Sequence, residues 1–214
     1  GVVKITEDGT VREGETLDDA VFETGYESHS AFREAFQKAF GQPPSRTAET
    51  NYIRLTWIDT PLGPIIAGAT DAGVCLLEFT DRRMLEEQLK ILRQRFKAPL
   101  VPAEHAHLTT LRRELEEYFA GTRHIFGVPV DTPGTPFEER VWDALRHIPY
   151  GETRSYEDVA RTVASPAAVR AVGRANGMNR VAIVIPCHRV LNKSGDLGGY
   201  GGGLWRKRRL LDIE

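Results

Sequence analysis

Cys187 stands directly before His188, behind Pro186 and an apolar run, Val181-Ala182-Ile183-Val184-Ile185. A thiol reacts as its thiolate, and a histidine within reach can take its proton directly or through a water. Pro186 fixes its own φ and biases Ile185 away from helix, so the pair is expected on stiff backbone. The apolar run reads as a short buried segment that delivers the pair to the floor of a site. Taken alone, a Cys-His pair reads equally well as a half-buried structural cysteine. Cys75, inside Val74-Cys75-Leu76-Leu77, reads as a small buried hydrophobe. Two cysteines far apart suggest a reducing compartment, and a cytoplasmic location is expected. No Cys/His cluster has zinc-ligand spacing, so no metal is expected.

The elements that must position this pair follow from the pattern on either side. Phe137 to His147 is expected to be a helix with Phe137, Val141, Trp142 and Leu145 inward. Ser155 caps a short helix holding Tyr156, Val159, Ala160 and Val163. A further helix is expected from Ser165-Pro166 through Asn176, with proline in its first turn. Two short helices joined by a tight link spell helix-turn-helix. The second has a small face, Ala167, Ala171, Gly173 and Ala175, beside Arg170 and Arg174. Such a helix can approach another backbone closely, which suits the narrow minor groove of DNA; the same face also suits burial against neighbouring helices.

Upstream, Tyr52 to Asp59, Ile65 to Thr70 and Gly73 to Thr80 read as strands, with a hairpin turn at Asp71-Ala72-Gly73. Asp81 to Phe96, with Met84 on its apolar side, and His107 to Phe119 read as helices. Val128-Pro129-Val130 reads as a short edge strand. His105, His107 and His124 read as surface polar groups. The expected fold is α+β: residues 1–15 as a tail, a helical segment over 16–46, a small sheet-plus-helix domain over 52–131, and a mostly helical domain over 132–214. The net charge of −2 hides an asymmetry. Residues 132–214 carry 13 Lys+Arg against 9 Asp+Glu, a net of +4, leaving −6 for the remainder. The C-terminal part is therefore the expected phosphate-facing surface. No apolar run is long enough to span a membrane and no signal peptide is visible.

From Gly134 to Glu214 the sequence resembles the O6-alkylguanine-DNA alkyltransferase family in near-continuous register. The matching pieces are Gly134-Thr135-Pro136-Phe137 with Val141-Trp142, Ile148 to Thr153, Ser155-Tyr156, Ala168 to Gly173, Asn176 to Asn179, Ile185-Pro186-Cys187-His188-Arg189-Val190, and Gly198-Gly199-Tyr200 with Gly203-Leu204. Residues Gly25-Tyr26, Ser30, Phe32-Arg33, Phe36, Phe40-Gly41 and Pro44 resemble the second helix-turn-helix of AraC-type regulators, so the layout looks Ada-like. Only one such motif is present where that family carries two, and the cysteines of the metal-binding, phosphotriester-sensing domain are absent.

The resemblance implies a ribonuclease H-like sheet domain ahead of a DNA-binding domain. It implies stoichiometric, cofactor-free transfer of an alkyl group from O6 of guanine, and O4 of thymine, to Cys187. It places His188 as the base acting through a water and Glu214 as the carboxylate that orients it. Glu214, the last residue given, is expected to be prone to fraying. Arg170 fills the stack left by the flipped base; Tyr156 lies beside the flipped nucleotide, and Asn179 ties the DNA-binding helix to the active-site segment. Ala171, Gly173 and Arg174 accompany Arg170 at the minor groove, and Val190, Tyr200, Gly201 and Pro186 wall the alkylguanine pocket. The implied partner is double-stranded DNA bearing O6-alkylguanine, bound by a monomer. Two alternatives stand beside this: a regulator of the alkylation response acting through residues 16–46, and a Cys-His hydrolase. A lesion-binding relative without the cysteine is excluded by Cys187.

Overall fold

A computed structural model describes residues 52–214 together with two short strands, β1 (Val3–Ile5) and β2 (Val11–Glu13), paired antiparallel. The expected helix-turn-helix over 16–46 lies outside the described residues.

The first domain is built on four strands in the order β5-β4-β3-β6. β3 (Ile53–Ile58), β4 (Ile65–Ala69) and β5 (Val74–Phe79) form an antiparallel meander, and β6 (Leu100–Pro102) joins β3 in parallel. Both faces of the sheet are covered, so its strands carry apolar residues on both sides. On one face Ile53, Leu55, Ile66, Cys75 and Leu76 pack on Leu85, Leu89 and Leu92 of α1 (Leu85–Phe96). On the other, Ile65, Ala67, Leu77 and Phe79 meet Leu108, Leu111, Leu115 and Tyr118 of α2 (Ala106–Phe119). That second core runs without a break into the C-terminal domain.

The C-terminal domain packs α3 (Pro136–Arg146), α4 (Tyr156–Thr162) and α5 (Val169–Gly177) against one another. Thr135 and Ser155 start α3 and α4 with reciprocal capping boxes to Glu138 and Asp158. Each satisfies two backbone or side-chain donors that the first turn leaves open. A short parallel pair, β7 (Arg154–Ser155) with β8 (Val190–Leu191), and a last helix, α6 (Leu204–Ile213), close the domain.

Several expectations need correction. α1 begins at Leu85, not Asp81, because Asp81 to Met84 form turns and the Arg82 side chain reaches across to the other domain; Met84 is exposed. Val128–Val130 is not a strand: it makes a single parallel bridge, Val74 to Val130. α5 begins at Val169, since Ser165 to Ala168 form a turn closed by Ala168 N donating to Ser165 O at 2.8 Å. Its small residues do not share one face. Ala175 is core, whereas Arg170, Ala171 and Arg174 are exposed and Gly173 is half-buried. β6, β7, β8 and α6 were not expected at all.

Candidate active site

The outer edge of β5 positions the reactive segment. Leu77 N donates to Arg180 O at 2.7 Å, and Ala182 N donates to Leu77 O at 2.9 Å, so the chain at Val181 adds one parallel bridge to the sheet. This also covers an edge that would otherwise present unpaired backbone groups. The next residues coil tightly. Ile183 holds φ +71°, a conformation that a β-branched residue adopts only under constraint, and Ile185 N donates to Val181 O at 2.9 Å. Cys187, His188 and Arg189 then form one 3-10 turn, every residue of it buried. The expected stiff delivery is present, though it is a strained coil rather than an extended run.

Asn179 fastens this coil to the end of α5. Its Oδ1 accepts from Val181 N at 3.0 Å; its Nδ2 donates to Ile185 O at 2.9 Å and to Cys187 Sγ at 3.1 Å. Burial pushes the Cys187 thiol above its ordinary value, and the Asn179 hydrogen bond opposes that rise. The resting group is therefore a thiol.

His188 is fully buried. Its Nε2 lies 2.9 Å from Glu214 Oε1, and its Nδ1 has no partner among the described residues. Burial lowers the imidazole below its ordinary value, against the pull of Glu214, so the ring is neutral near pH 7. Glu214 is not frayed. Its side chain is 1% exposed, and it accepts from Tyr118 Oη at 2.7 Å and from Arg189 Nε and Nη2 at 2.8 and 2.9 Å. Burial raises its affinity for a proton, but the hydrogen bonds from His188 and Arg189 outweigh it and hold the carboxyl at about 2. A neutral ring whose Nε2–H faces a carboxylate leaves Nδ1 as the acceptor.

Beside Cys187 is a cavity of about 170 Å³, lined on one side by Tyr156, Gly173, Asn176 and Asn179 and on the other by Tyr200, Gly201 and Gly202. Glu78 and Arg82 reach it from the sheet domain. Arg82 Nη2 donates to Gly177 O at 2.6 Å and Nη1 to Asn179 O at 3.2 Å, and the guanidinium is paired with Glu78. A Cβ on Gly201 would stand 2.6 Å from Arg82 Cζ, so a side chain there would have to push that hydrogen-bonded guanidinium aside. Lys207, fully buried on α6, shapes the same loop by donating to the carbonyls of Val190, at 2.6 Å, and Leu197.

The structure thus gathers Cys187, Asn179, Tyr156, Tyr200 and Gly201 around one cavity, with the buried His188–Glu214 pair on the same turn and at the end of α6. It does not place Pro186 or Val190 on the cavity wall. Pro186 borders a separate cavity with Tyr150 and Arg189, and Val190 is core. Arg170 and Arg174 stand on the open side of α5. Sequence reasoning missed Glu78, Arg82, Asn176, Arg189 and Lys207. All five are polar side chains that are buried or line the cavity, and their burial is set by the tertiary fold. Among the described residues no cluster of His, Cys, Asp and Glu would hold a metal ion, and no helix is long and apolar enough to cross a membrane.

Comparison with known proteins decides the family. The model for the DNA binding domain of 6-O-methylguanine DNA methyltransferase matches residues 136–214, and the model for its ribonuclease-like domain matches residues 53–132. The chain belongs to the 6-O-methylguanine DNA methyltransferase family. A methylated-DNA--protein-cysteine methyltransferase of Mycobacterium tuberculosis is 46% identical over 162 residues, covering 76% of this chain and 92% of that protein. The constitutive enzyme of the same name from Bacillus subtilis is 41% identical over 160 residues, 74% and 93% of the two chains. Crystal structures of the M. tuberculosis O6-methylguanine methyltransferase, and of the M. tuberculosis protein in complex with DNA, each superpose with a TM-score of 0.64 at 40% identity. They cover 75% and 76% of this chain, and 92% and 91% of theirs. The match spans both domains of the described structure, so the methyltransferase family accounts for the sheet as well as for the reactive turn.

Proposed function

We propose that this protein repairs DNA by transferring the alkyl group on O6 of guanine to its own Cys187, one protein molecule being consumed per lesion. The observation that carries this reading is a buried thiol, hydrogen-bonded by Asn179, at the side of a base-sized cavity and one residue from a neutral, carboxylate-oriented histidine. An O6 substituent inside a duplex cannot be met in line by a thiolate, so the nucleotide must leave the stack. Arg170, Ala171, Gly173 and Arg174 of α5 form the surface toward the minor groove, with Arg170 entering the vacated position. Tyr156 stands at the junction of that helix and the cavity.

His188 Nδ1, through a water, takes the thiol proton as Glu214 holds the ring and offsets the charge it gains. The thiolate attacks the alkyl carbon; the C–S bond forms, the C–O6 bond breaks, and its electron pair stays on the base, which leaves as guanine after taking up one proton. The thioether has no route back, so transfer is stoichiometric. The two domains proposed for this work are 52–131 and 132–214. None of the relatives reported above is a hydrolase, and a regulator acting through residues 16–46 lies outside the described residues.

Intact-mass measurement after incubation with an O6-methylguanine duplex tests the reading. One added methyl on Cys187, lost in Cys187→Ala and kept in Cys75→Ser, is expected. Turnover beyond one methyl per chain, or transfer that survives Cys187→Ala, would overturn it.

A further inference from the structure

We propose that Arg180 is a positioning residue for the reaction: with Trp142 it brackets the segment between α5 and the reactive coil, and so fixes the reach of Asn179 to the Cys187 sulfur. The proposal rests on Cys187 being the reacting thiol of the reading above.

Arg180 is 1% exposed and is the largest fully buried side chain among the described residues. Burial lowers its guanidinium to about 10, so the group is cationic at neutral pH. Nη2 donates to Pro133 O at 2.7 Å, while Nε and Nη1 have no partner among the described residues. A buried cation with two unmet donors is a poor device for stability, because an apolar side chain of similar length would fill the space without the desolvation cost. Its contacts point to placement instead.

The Arg180 Cζ stands 5.1 Å from the Trp142 ring centroid, and Trp142 Nε1 donates to Ala175 O at 2.9 Å. One indole therefore holds both ends of residues 175–180, the first through its carbonyl and the last through its cation. The interdomain linker closes on the same pair. A Cβ on Gly134 would stand 2.7 Å from Trp142 Cζ3, and Pro133 O takes Arg95 Nη1 of α1 at 2.8 Å as well as Arg180. Inside the bracket lie Asn176 and Asn179, whose amides reach Cys187 O at 3.5 Å and Cys187 Sγ at 3.1 Å. The bond from Leu77 N to Arg180 O ties this segment to β5, and the Arg180 side chain ties it to α3 and, through the indole, to α5.

The test follows alkylation of Cys187 by iodoacetamide, read by mass on the Cys187 peptide across pH 6–10, beside urea denaturation. Arg180→Met should leave stability equal or higher, because a buried charge and two unmet donors go and Pro133 O keeps Arg95. Its rate at pH 7 should fall about threefold or more, and its pH profile should move up by about half a unit or more, since a looser Asn179 favours the thiolate less. Arg82, Glu78, Lys207, Tyr156 and Tyr200 also act on the sulfur, and His188 follows it in the turn; the substitution leaves all six in place. In an Asn179→Ala background the same change should add little. Trp142→Phe, which keeps a ring under the guanidinium but releases Ala175, should move the profile the same way and covers the case in which the methionine variant does not fold. A wild-type profile in the variant that folds, or a loss that adds in full to that of Asn179→Ala, overturns the inference and leaves alkyl transfer standing. The expected pattern in a protein that takes no methyl from an O6-methylguanine duplex would support the role of Arg180 and overturn the reading.

Discussion

His188 Nε2 lies 2.9 Å from Glu214 Oε1, and that contact decides which nitrogen of the ring is left to act as a base. Glu214 is held at about 2, below the ordinary 4.5, so it stays anionic throughout the working range. Its depressed value stabilises the fold above pH 4.5, and the stabilisation is lost as pH falls toward 2. Its size is about 3 kcal/mol. Glu214→Gln should therefore lower the melting temperature near neutral pH and flatten its acid dependence, as thermal melts across pH 2–7 would read. The same variant should slow methylation by about 10²-fold, the scale of general base catalysis. Because His188 is depressed, the wild-type rate should hold from pH 7 down to 6.5 and fall only below it. A rate that already falls on going from pH 7.5 to 6.5 would contradict a neutral buried ring.

Asn179 makes three hydrogen bonds on a side chain that is 2% exposed. Asn179→Ala should cost about 2–4 kcal/mol in urea denaturation, because it strands the buried Val181 N–H and the Ile185 carbonyl. It should also slow Cys187 alkylation by a small soluble electrophile, since the thiol loses the donor that favours its thiolate. Asn179→Asp restores an acceptor for Val181 N but removes the donor to sulfur. It should recover stability at low pH more than it recovers reactivity, and equal recovery of both would argue against the contact with Sγ.

The reactive turn was legible in the sequence because its chemistry is local: Pro186, Cys187 and His188 are consecutive. The Ser155 cap and the buried helix faces were legible for the same reason. What sequence could not show was long-range burial. Arg82 lies 97 residues from Asn179, and Arg189 is bound to a carboxylate 25 residues on. A lone arginine or lysine reads as solvent-exposed until a fold supplies its partners. Pro186 borders the cavity with Tyr150 and Val190 is core, and no pattern of residue types announces the positive φ at β-branched Ile183 that turns the chain ahead of them.

Arg82 joins the sheet domain to the end of α5 and neutralises Glu78, whose side chain is 1% exposed. Burial lifts Glu78 to about 7 even with Arg82 opposing the rise. A raised carboxyl stabilises the fold below pH 4.5 and loses that contribution as pH rises through 7. Without Arg82 the lift is larger, so Arg82→Met should destabilise the fold more at pH 8 than at pH 5. Removing one partner of a buried pair costs about 3–5 kcal/mol, and that figure applies at the alkaline end, where Glu78 cannot escape by taking a proton. Urea denaturation at the two pH values reads the difference; equal losses at both would mean that Arg82 acts only through the Gly177 and Asn179 carbonyls.

Arg170 is exposed on the first turn of α5, whose C-terminal end carries Asn176 and Gly177 at the cavity. A side chain in that place can act on a duplex without touching the reacting atoms. Extrusion of the nucleotide costs a few kcal/mol in lost stacking and pairing, and a side chain that fills the gap recovers part of it. Free O6-benzylguanine needs no extrusion. Arg170→Ala should therefore slow methyl transfer from a duplex by about tenfold or more while leaving reaction with the free base within about twofold. Thermal stability should hardly change, because an exposed arginine on a helix surface contributes little to folding. Arg174→Ala, one turn further along the same open side, should instead weaken duplex binding and reduce its salt dependence, the signature of a phosphate contact. Equal losses on duplex and free base for Arg170→Ala would mean that the residue acts through the shape of α5 and not on the DNA.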